Sequence, residues 1–168
     1  MKPDRLFARI ALAACLIAPA LAVAGPQIVY VTRHGEKAPE GKDPDLSTQG
    51  QARAKRLAQM LGKAGIRQIF STATKRTQQT AQPLAQQLAL TVQTYDPGKP
   101  AAIVRRIRSL NEPTLLVGHS NTVPDLIKLL GGGTVPAVAD DEYDRLYQLI
   151  IEPDGSVTTV LLTSVTAQ

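Results

Sequence analysis

Two rhythms of apolar residues alternate along this chain from residue 27 onward. The first is a short unbroken run. Ile28-Val29-Tyr30-Val31, entered through Gln27 after Gly25-Pro26 and left at polar Thr32, predicts a buried strand over 27–31. The second rhythm has helical spacing: Ala54, Leu57, Ala58 and Leu61 sit at i, i+3, i+4 and i+7. With Thr48 and Gln51 in a capping-box pattern, they predict an amphipathic helix over 49–61, closed near Gly62 or Gly65.

The pair then repeats. Residues 66–70 predict a second strand, Leu84, Ala85 and Leu88 a second helix, 91–95 a third strand and 101–110 a third helix. Residues 114–117 predict a fourth, continuously apolar strand, and 122–130 a fourth helix stopped at Gly131-Gly132-Gly133. Pro83 removes a backbone donor inside the second helical pattern, so that helix either begins near it or kinks there. The tail from Tyr143 to Thr163 holds two β-rich runs around Asp154-Gly155, a hairpin signal. Strands alternating with helices, then a terminal hairpin, predict an α/β fold. It is a three-layer α/β/α sandwich on a mostly parallel mixed sheet, with the C-terminal hairpin antiparallel.

Residues 1–24 follow neither rhythm. Lys2, Arg5 and Arg9 precede an apolar run from Ile10 to Val23 that ends in Ala22-Val23-Ala24, the layout of a secretory signal cleaved after Ala24. A run of roughly 14 residues is short of the roughly 20 that a spanning helix needs. The expectation is therefore a signal peptide over 1–24, one domain over 25–168, no stable membrane span after cleavage, and a periplasmic or secreted product. Cys15 is the only cysteine, so the domain itself has no thiol. Leu12-Ala13-Ala14-Cys15 also resembles a lipoprotein processing site, although few apolar residues separate Arg9 from Cys15.

Composition adds little that the pattern does not already say. At 168 residues, with 43% hydrophobic and 20% charged residues, the chain has the make-up of a single globular domain. Its net charge of +5, of which the leader supplies two, suits anionic substrates. Nucleic acid is not expected as a partner: aromatic residues are 4%, tryptophan is absent, and the bases are scattered.

The candidate chemistry gathers where ligands bind in open α/β sheets, at the carboxyl ends of the strands. Arg33 and His34 close the first strand, Arg76 follows the second, Asp96 the third, and His119 the fourth. Both histidines of the chain thus sit at strand ends beside arginines, whose planar forks suit phosphate oxygens. An imidazole can be the nucleophile in phosphoryl transfer. A histidine after a strand is more often structural, and a lone arginine more often solvated. The grouping turns both readings toward function. Lys37, Arg105, Arg106 and Arg108 are not expected in the site, the last three forming an exposed helix face.

Thr32-Arg33-His34-Gly35-Glu36 resembles the Arg-His-Gly signature of the histidine phosphatase superfamily, which also contains the cofactor-dependent phosphoglycerate mutases. Leu46-Ser47 with Gly50, Arg53 and Ala54, then Ser71 through Arg76-Thr77 to Thr80-Ala81, then Val117-Gly118-His119-Ser120, follow the family's order. The resemblance spans about residues 27–130. It implies a phosphoglycerate mutase-like fold and a phosphatase without metal or other cofactor. It also implies that His34 forms a phosphohistidine while Arg33, Arg76 and His119 hold the phosphoryl oxygens. Neighbouring arginines would disfavour the charged form of His34, as attack requires, and Gly35 would let the backbone approach closely.

The acid that protonates the leaving group departs from the family pattern, which commonly has a glutamate some way after the second arginine. Between Thr77 and Asn111 the only carboxylate is Asp96, in an Asp-Pro-Gly sequence that also favours a turn. Glu36 and Asp125 are the alternatives. Lack of a strong acid would be tolerable for phosphohistidine or acyl phosphates and would hurt alkyl phosphomonoesters more.

The leading expectation is an exported phosphatase for a small phosphorylated metabolite or a cell-envelope phosphate. A mutase-like phosphotransferase would need a closed pocket for which this chain has few residues to spare. A non-catalytic phosphate-binding module would keep the pocket and lack turnover. A metal-dependent hydrolase would need a closely spaced ligand set that the sequence lacks. Substrate recognition is expected in loops 40–45 and 131–141.

Overall fold

The computed structural model describes residues 25–164. The expected signal segment, its cleavage point after Ala24 and Cys15 lie outside the described residues. The elements are β1 (Gln27–Arg33), α1 (Thr48–Leu61), β2 (Gln68–Ser71), α2 (Lys75–Leu88) and β3 (Val92–Thr94). They continue with α3 (Pro100–Leu110), β4 (Thr114–Gly118), α4 (Val123–Leu129), β5 (Arg145–Ile151) and β6 (Val157–Thr163).

The six strands form one sheet in the order β3-β2-β4-β1-β5-β6. β1 to β4 run parallel to one another, while β5 lies antiparallel to β1 and β6 antiparallel to β5. The sheet separates two apolar clusters. Tyr30, Ile69, Leu115, Val117 and Leu146 pack with Leu57, Leu61, Leu84 and Ala85 of α1 and α2. Val29, Val31, Phe70, Leu116 and Leu149 pack with Ile103, Ile107, Leu126 and Ile127 of α3 and α4. Successive strand residues point to opposite faces, and both faces are covered by helices. That is why the central strands read as unbroken apolar runs. The three-layer sandwich with its mostly parallel mixed sheet and antiparallel terminal hairpin is the architecture observed.

Three local expectations change. The cap of α1 is Ser47, one residue earlier than the Thr48 pattern suggested: its side chain accepts from the Gly50 amide at 3.1 Å. α2 starts at Lys75 and runs through Pro83 as one helix instead of beginning there. Strand β3 is only three residues long.

The end of β1 and the start of α1 touch backbone to backbone. A Cβ on Gly50 would stand 2.1 Å from the Glu36 carbonyl oxygen, and one on Gly35 would stand 2.9 Å from the Gly50 carbonyl oxygen. This contact, with Ser47 N donating to the Glu36 carbonyl at 2.8 Å, fixes the turn that carries His34. Gly35 therefore serves a close approach within the protein itself.

Candidate active site

The ends of β1, β2 and β4 lie side by side, so the residues just after them converge. His34 N donates to the Gly118 carbonyl at 3.0 Å, which locks the β1 turn to the end of β4. Gly35 N donates to Thr80 Oγ1 at 2.9 Å, which locks the same turn to α2. The result is a cleft of about 490 Å³ lined by Arg33, His34, Arg76 and His119, with Lys37 and Lys42 on the loop before α1.

His34 is buried, 4% exposed, and its two ring nitrogens face different partners. Nδ1 lies 2.7 Å from the Gly35 carbonyl, an acceptor, so Nδ1 carries the proton and donates. Nε2 is then the bare nitrogen, and Arg76 Nε donates to it at 3.2 Å. The hydrogen-bond network thus assigns the tautomer and turns the lone pair of Nε2 toward an arginine. Burial first, and then the positive charge of Arg33 and Arg76 and the nearby His119 ring, lower the pKa of His34 to about 4 against the pull of the Gly35 bond. Burial rather than the arginines leads, which refines the expectation from sequence.

His119 stands edge-on to His34, ring centroids 5.4 Å apart. Its Nε2 is 3.0 Å from Thr72 Oγ1, and the Thr72 hydroxyl also meets those of Thr74 and Thr77 at 3.2 and 2.9 Å. Burial and then Arg76 and Arg33 lower the His119 pKa to about 4 as well. Both rings are neutral at neutral pH.

Arg33 is held by the segment between α4 and β5. Its Nη1 donates to the carbonyls of Ala139, Asp140 and Glu142 at 2.7, 3.1 and 3.0 Å. Its guanidinium carbon sits 4.1 Å from the centroid of the Tyr143 ring. Arg33 Nε is buried without a hydrogen-bond partner among the described residues, leaving a donor for an anion. Arg76 is steadied at 3.5 Å by Asp43, whose carboxylate also accepts from the Lys75 amide at 3.1 and 3.2 Å. The cap of α2 therefore comes from the loop before α1, since Thr74 makes no side-chain cap bond.

The structure brings His34, Arg33, Arg76 and His119, the group expected from sequence, together in one cleft. The acid candidates do not join them. Asp96 Oδ1 accepts from the Gly98 amide at 2.9 Å and Oδ2 lies 3.7 Å from Lys99 Nζ. Asp-Pro-Gly thus makes its turn, and Pro97 rather than Asp96 lines the cleft. Glu36 is tied to Arg53 through both oxygens, at 2.9 to 3.0 Å to Nε and 2.5 Å to Nη2. Burial raises its pKa, but the bonds and charge of Arg53 outweigh that and hold it below the usual carboxylate range. Asp125 is exposed on the first turn of α4.

Lys37 corrects the sequence reading: it lines the cleft, whereas Arg106 stacks over Phe70 and Arg108 bonds the Leu130 carbonyl. Lys42, Asp43, Thr72, Asp140 and Tyr143 were not singled out by sequence. Apart from the loop ranges expected to hold recognition residues, nothing in spacing marks them. Among the described residues no group of three or more His, Cys, Asp and Glu could hold a metal ion, and no helix is long and apolar enough to cross a membrane.

Structures of several phosphatases share the fold. A mycobacterial glucosyl-3-phosphoglycerate phosphatase aligns at TM-score 0.64 and 15% identity, covering 85% of this chain and 100% of its own. The protein histidine phosphatase SixA, solved with tungstate, aligns at TM-score 0.67 and 19% identity, covering 82% and 97%. A phosphoserine phosphatase variant from Entamoeba histolytica, solved with phosphoserine, aligns at TM-score 0.65 and 14% identity, covering 84% and 99%. No curated protein matches the chain in sequence. Residues 29–97 match the family model described as histidine phosphatase superfamily, branch 1. That stretch runs from the first strand to the turn after the third and takes in both the Arg33-His34-Gly35 turn and Arg76, and over it the chain is similar to the histidine phosphatase superfamily.

Proposed function

We propose that this protein is an exported, metal-independent phosphatase that passes the phosphoryl group through His34 Nε2. The observation that carries the reading is the fixed tautomer of His34. Its Nδ1 proton is committed to the Gly35 carbonyl, and its bare Nε2 faces Arg76 inside a cationic cleft. The known phosphatase folds around it support the same chemistry.

In the proposed reaction, Nε2 attacks phosphorus and the bond from phosphorus to the leaving oxygen breaks. The positive charge gained by the ring is stabilised through Nδ1 and the Gly35 carbonyl. Arg33 Nε, Arg76 and His119 face the equatorial oxygens. Water then attacks the phosphohistidine, the P–N bond breaks, and orthophosphate leaves with the ring neutral again. None of Asp96, Glu36 and Asp125 lines the cleft, so the reaction favours leaving groups that need little protonation. Substrates are small phosphorylated metabolites or cell-envelope phosphates, met in the periplasm or outside the cell.

The test is release of phosphate from a series of aryl phosphates by the purified protein and by His34→Ala. Expected is turnover that resists chelators, is inhibited by vanadate, rises steeply as the leaving group becomes more acidic, and is lost in the variant. Chelator-sensitive turnover that survives His34→Ala would overturn the mechanism. A second reading, a phosphate-binding module without catalysis, is favoured by the same absence of a carboxylate among the three candidates. Folded protein that binds phosphonate and turns over no aryl phosphate would establish it.

A further inference from the structure

We infer that the cleft holds a second anion subsite, formed by Lys37 and Lys42, and that its ligand is a phosphoryl compound bearing another negatively charged group on the leaving side. The inference rests on the phosphoryl-site reading above and adds the class of molecule to it.

The loop that carries the two lysines is built rather than loose. Lys37 pairs with Leu46 in an isolated antiparallel bridge, and Ala38 N donates to the Asp45 carbonyl at 2.8 Å, so the neck of the loop is closed. Gln79 of α2 clasps the same neck, accepting from Leu46 N and donating to Asp45 Oδ1, both at 2.7 Å. Nearer the tip, Asp43 is fixed on the Lys75 amide and Arg76. Lys42 is its immediate neighbour. Both lysines are exposed, and both line the same cleft as His34.

Their charges are uncommitted. Neither has a carboxylate within 4.0 Å among the described residues, while Asp43 is turned to Arg76 and Asp45 to Lys75. The lining of the cleft includes four cations, Arg33, Arg76, Lys37 and Lys42, and one carboxylate residue, Asp140. A phosphoryl dianion on Arg33 and Arg76 leaves the two lysines unmatched. Both line the cleft beside the residues assigned to the phosphoryl group, which leaves them for the rest of the ligand. An ammonium is a flexible, strongly hydrated point charge, suited to a carboxylate or a second phosphate on ligands of varied shape. A cleft of about 490 Å³ is in the range of small-molecule sites.

The experiment compares binding, by calorimetry, of phenylphosphonate, 3-carboxyphenylphosphonate and 1,3-phenylenebisphosphonate to the intact protein. The same titrations are run on Lys37→Gln/Lys42→Gln and on Lys63→Gln, a charge change just past the far end of α1. Expected is a roughly tenfold preference for the ligands with a second anion, falling toward one in the double variant, retained in Lys63→Gln, and shrinking with added salt. The relative strength of the carboxylate and bisphosphonate arms tells which anion the subsite takes. A preference that is absent in the unaltered protein, or equal in the double variant, overturns the inference. Because binding is read without turnover, a protein inactive toward aryl phosphates would count against catalysis and leave this result standing on its own.

Discussion

At the scale of single residues, the site works by committing protons. His34 gives its one ring proton to Gly35, and burial keeps a second from binding until the pH approaches 4. The acid limb of kcat/KM is accordingly expected near pH 4 on a pH–rate profile, well below the 6.5 of a solvent-exposed imidazole. A limb near 6.5 would show that the nucleophile is not this buried ring. Thr72 plays the corresponding part for His119 as a positioning residue. Thr72→Val keeps the shape and removes the hydroxyl at 3.0 Å from Nε2. It is expected to lower kcat on the order of tenfold with little change in KM, and Thr72→Ser is expected to restore it. Equal loss in the serine variant would point to packing instead.

At the scale of elements, the strands were legible because burial on both faces leaves its mark on all but one residue of β1 and on every residue of β4. α1 was legible from the spacing of its buried Ala54, Leu57, Ala58 and Leu61. The start of α2 was not, because Pro83 sits where it breaks a periodicity argument without breaking the helix. The helix's cap, Asp43, lies 32 residues earlier and has no local signal. The same holds for the site. The Arg-His-Gly motif, Arg76 and His119 could be placed from strand ends, whereas Lys37, Lys42 and Asp43 acquire their positions from a loop closed by tertiary bonds. Asp96 could be read two ways from sequence, because a carboxylate at a strand end and a turn-forming Asp-Pro-Gly are the same letters, and the structure shows the turn. The backbone contact between β1 and α1 makes its own prediction. Gly50→Ala puts a methyl group 2.1 Å from the Glu36 carbonyl oxygen, which neither element can yield without moving His34. A loss of about 3 kcal/mol in denaturant unfolding is expected, whereas Gly25→Ala, with open space around it, is expected to change nothing measurable.

At the scale of the whole molecule, two neutral histidines couple the site to stability. Folded, both titrate at about 4; unfolded, they titrate near 6.5. Between these values the unfolded chain binds more protons, so stability rises with pH across that window. The contribution is fully present above about pH 6.5 and is lost as the pH falls toward 4. Melting temperature is therefore expected to drop between pH 7 and pH 4.5, and to drop less in His34→Gln/His119→Gln. An equal drop in that variant would assign the acid sensitivity to carboxylates elsewhere. The long segment between α4 and β5 meets the site in another way, through the carbonyls of Ala139, Asp140 and Glu142 that grip Arg33. A carbonyl belongs to the chain and not to any particular side chain. Residues 139 and 140 can thus be exchanged for others of similar backbone habit while the grip on Arg33 persists. This wall of the cleft is free to be rewritten, by drift or by a protein engineer, without disturbing the machinery it encloses.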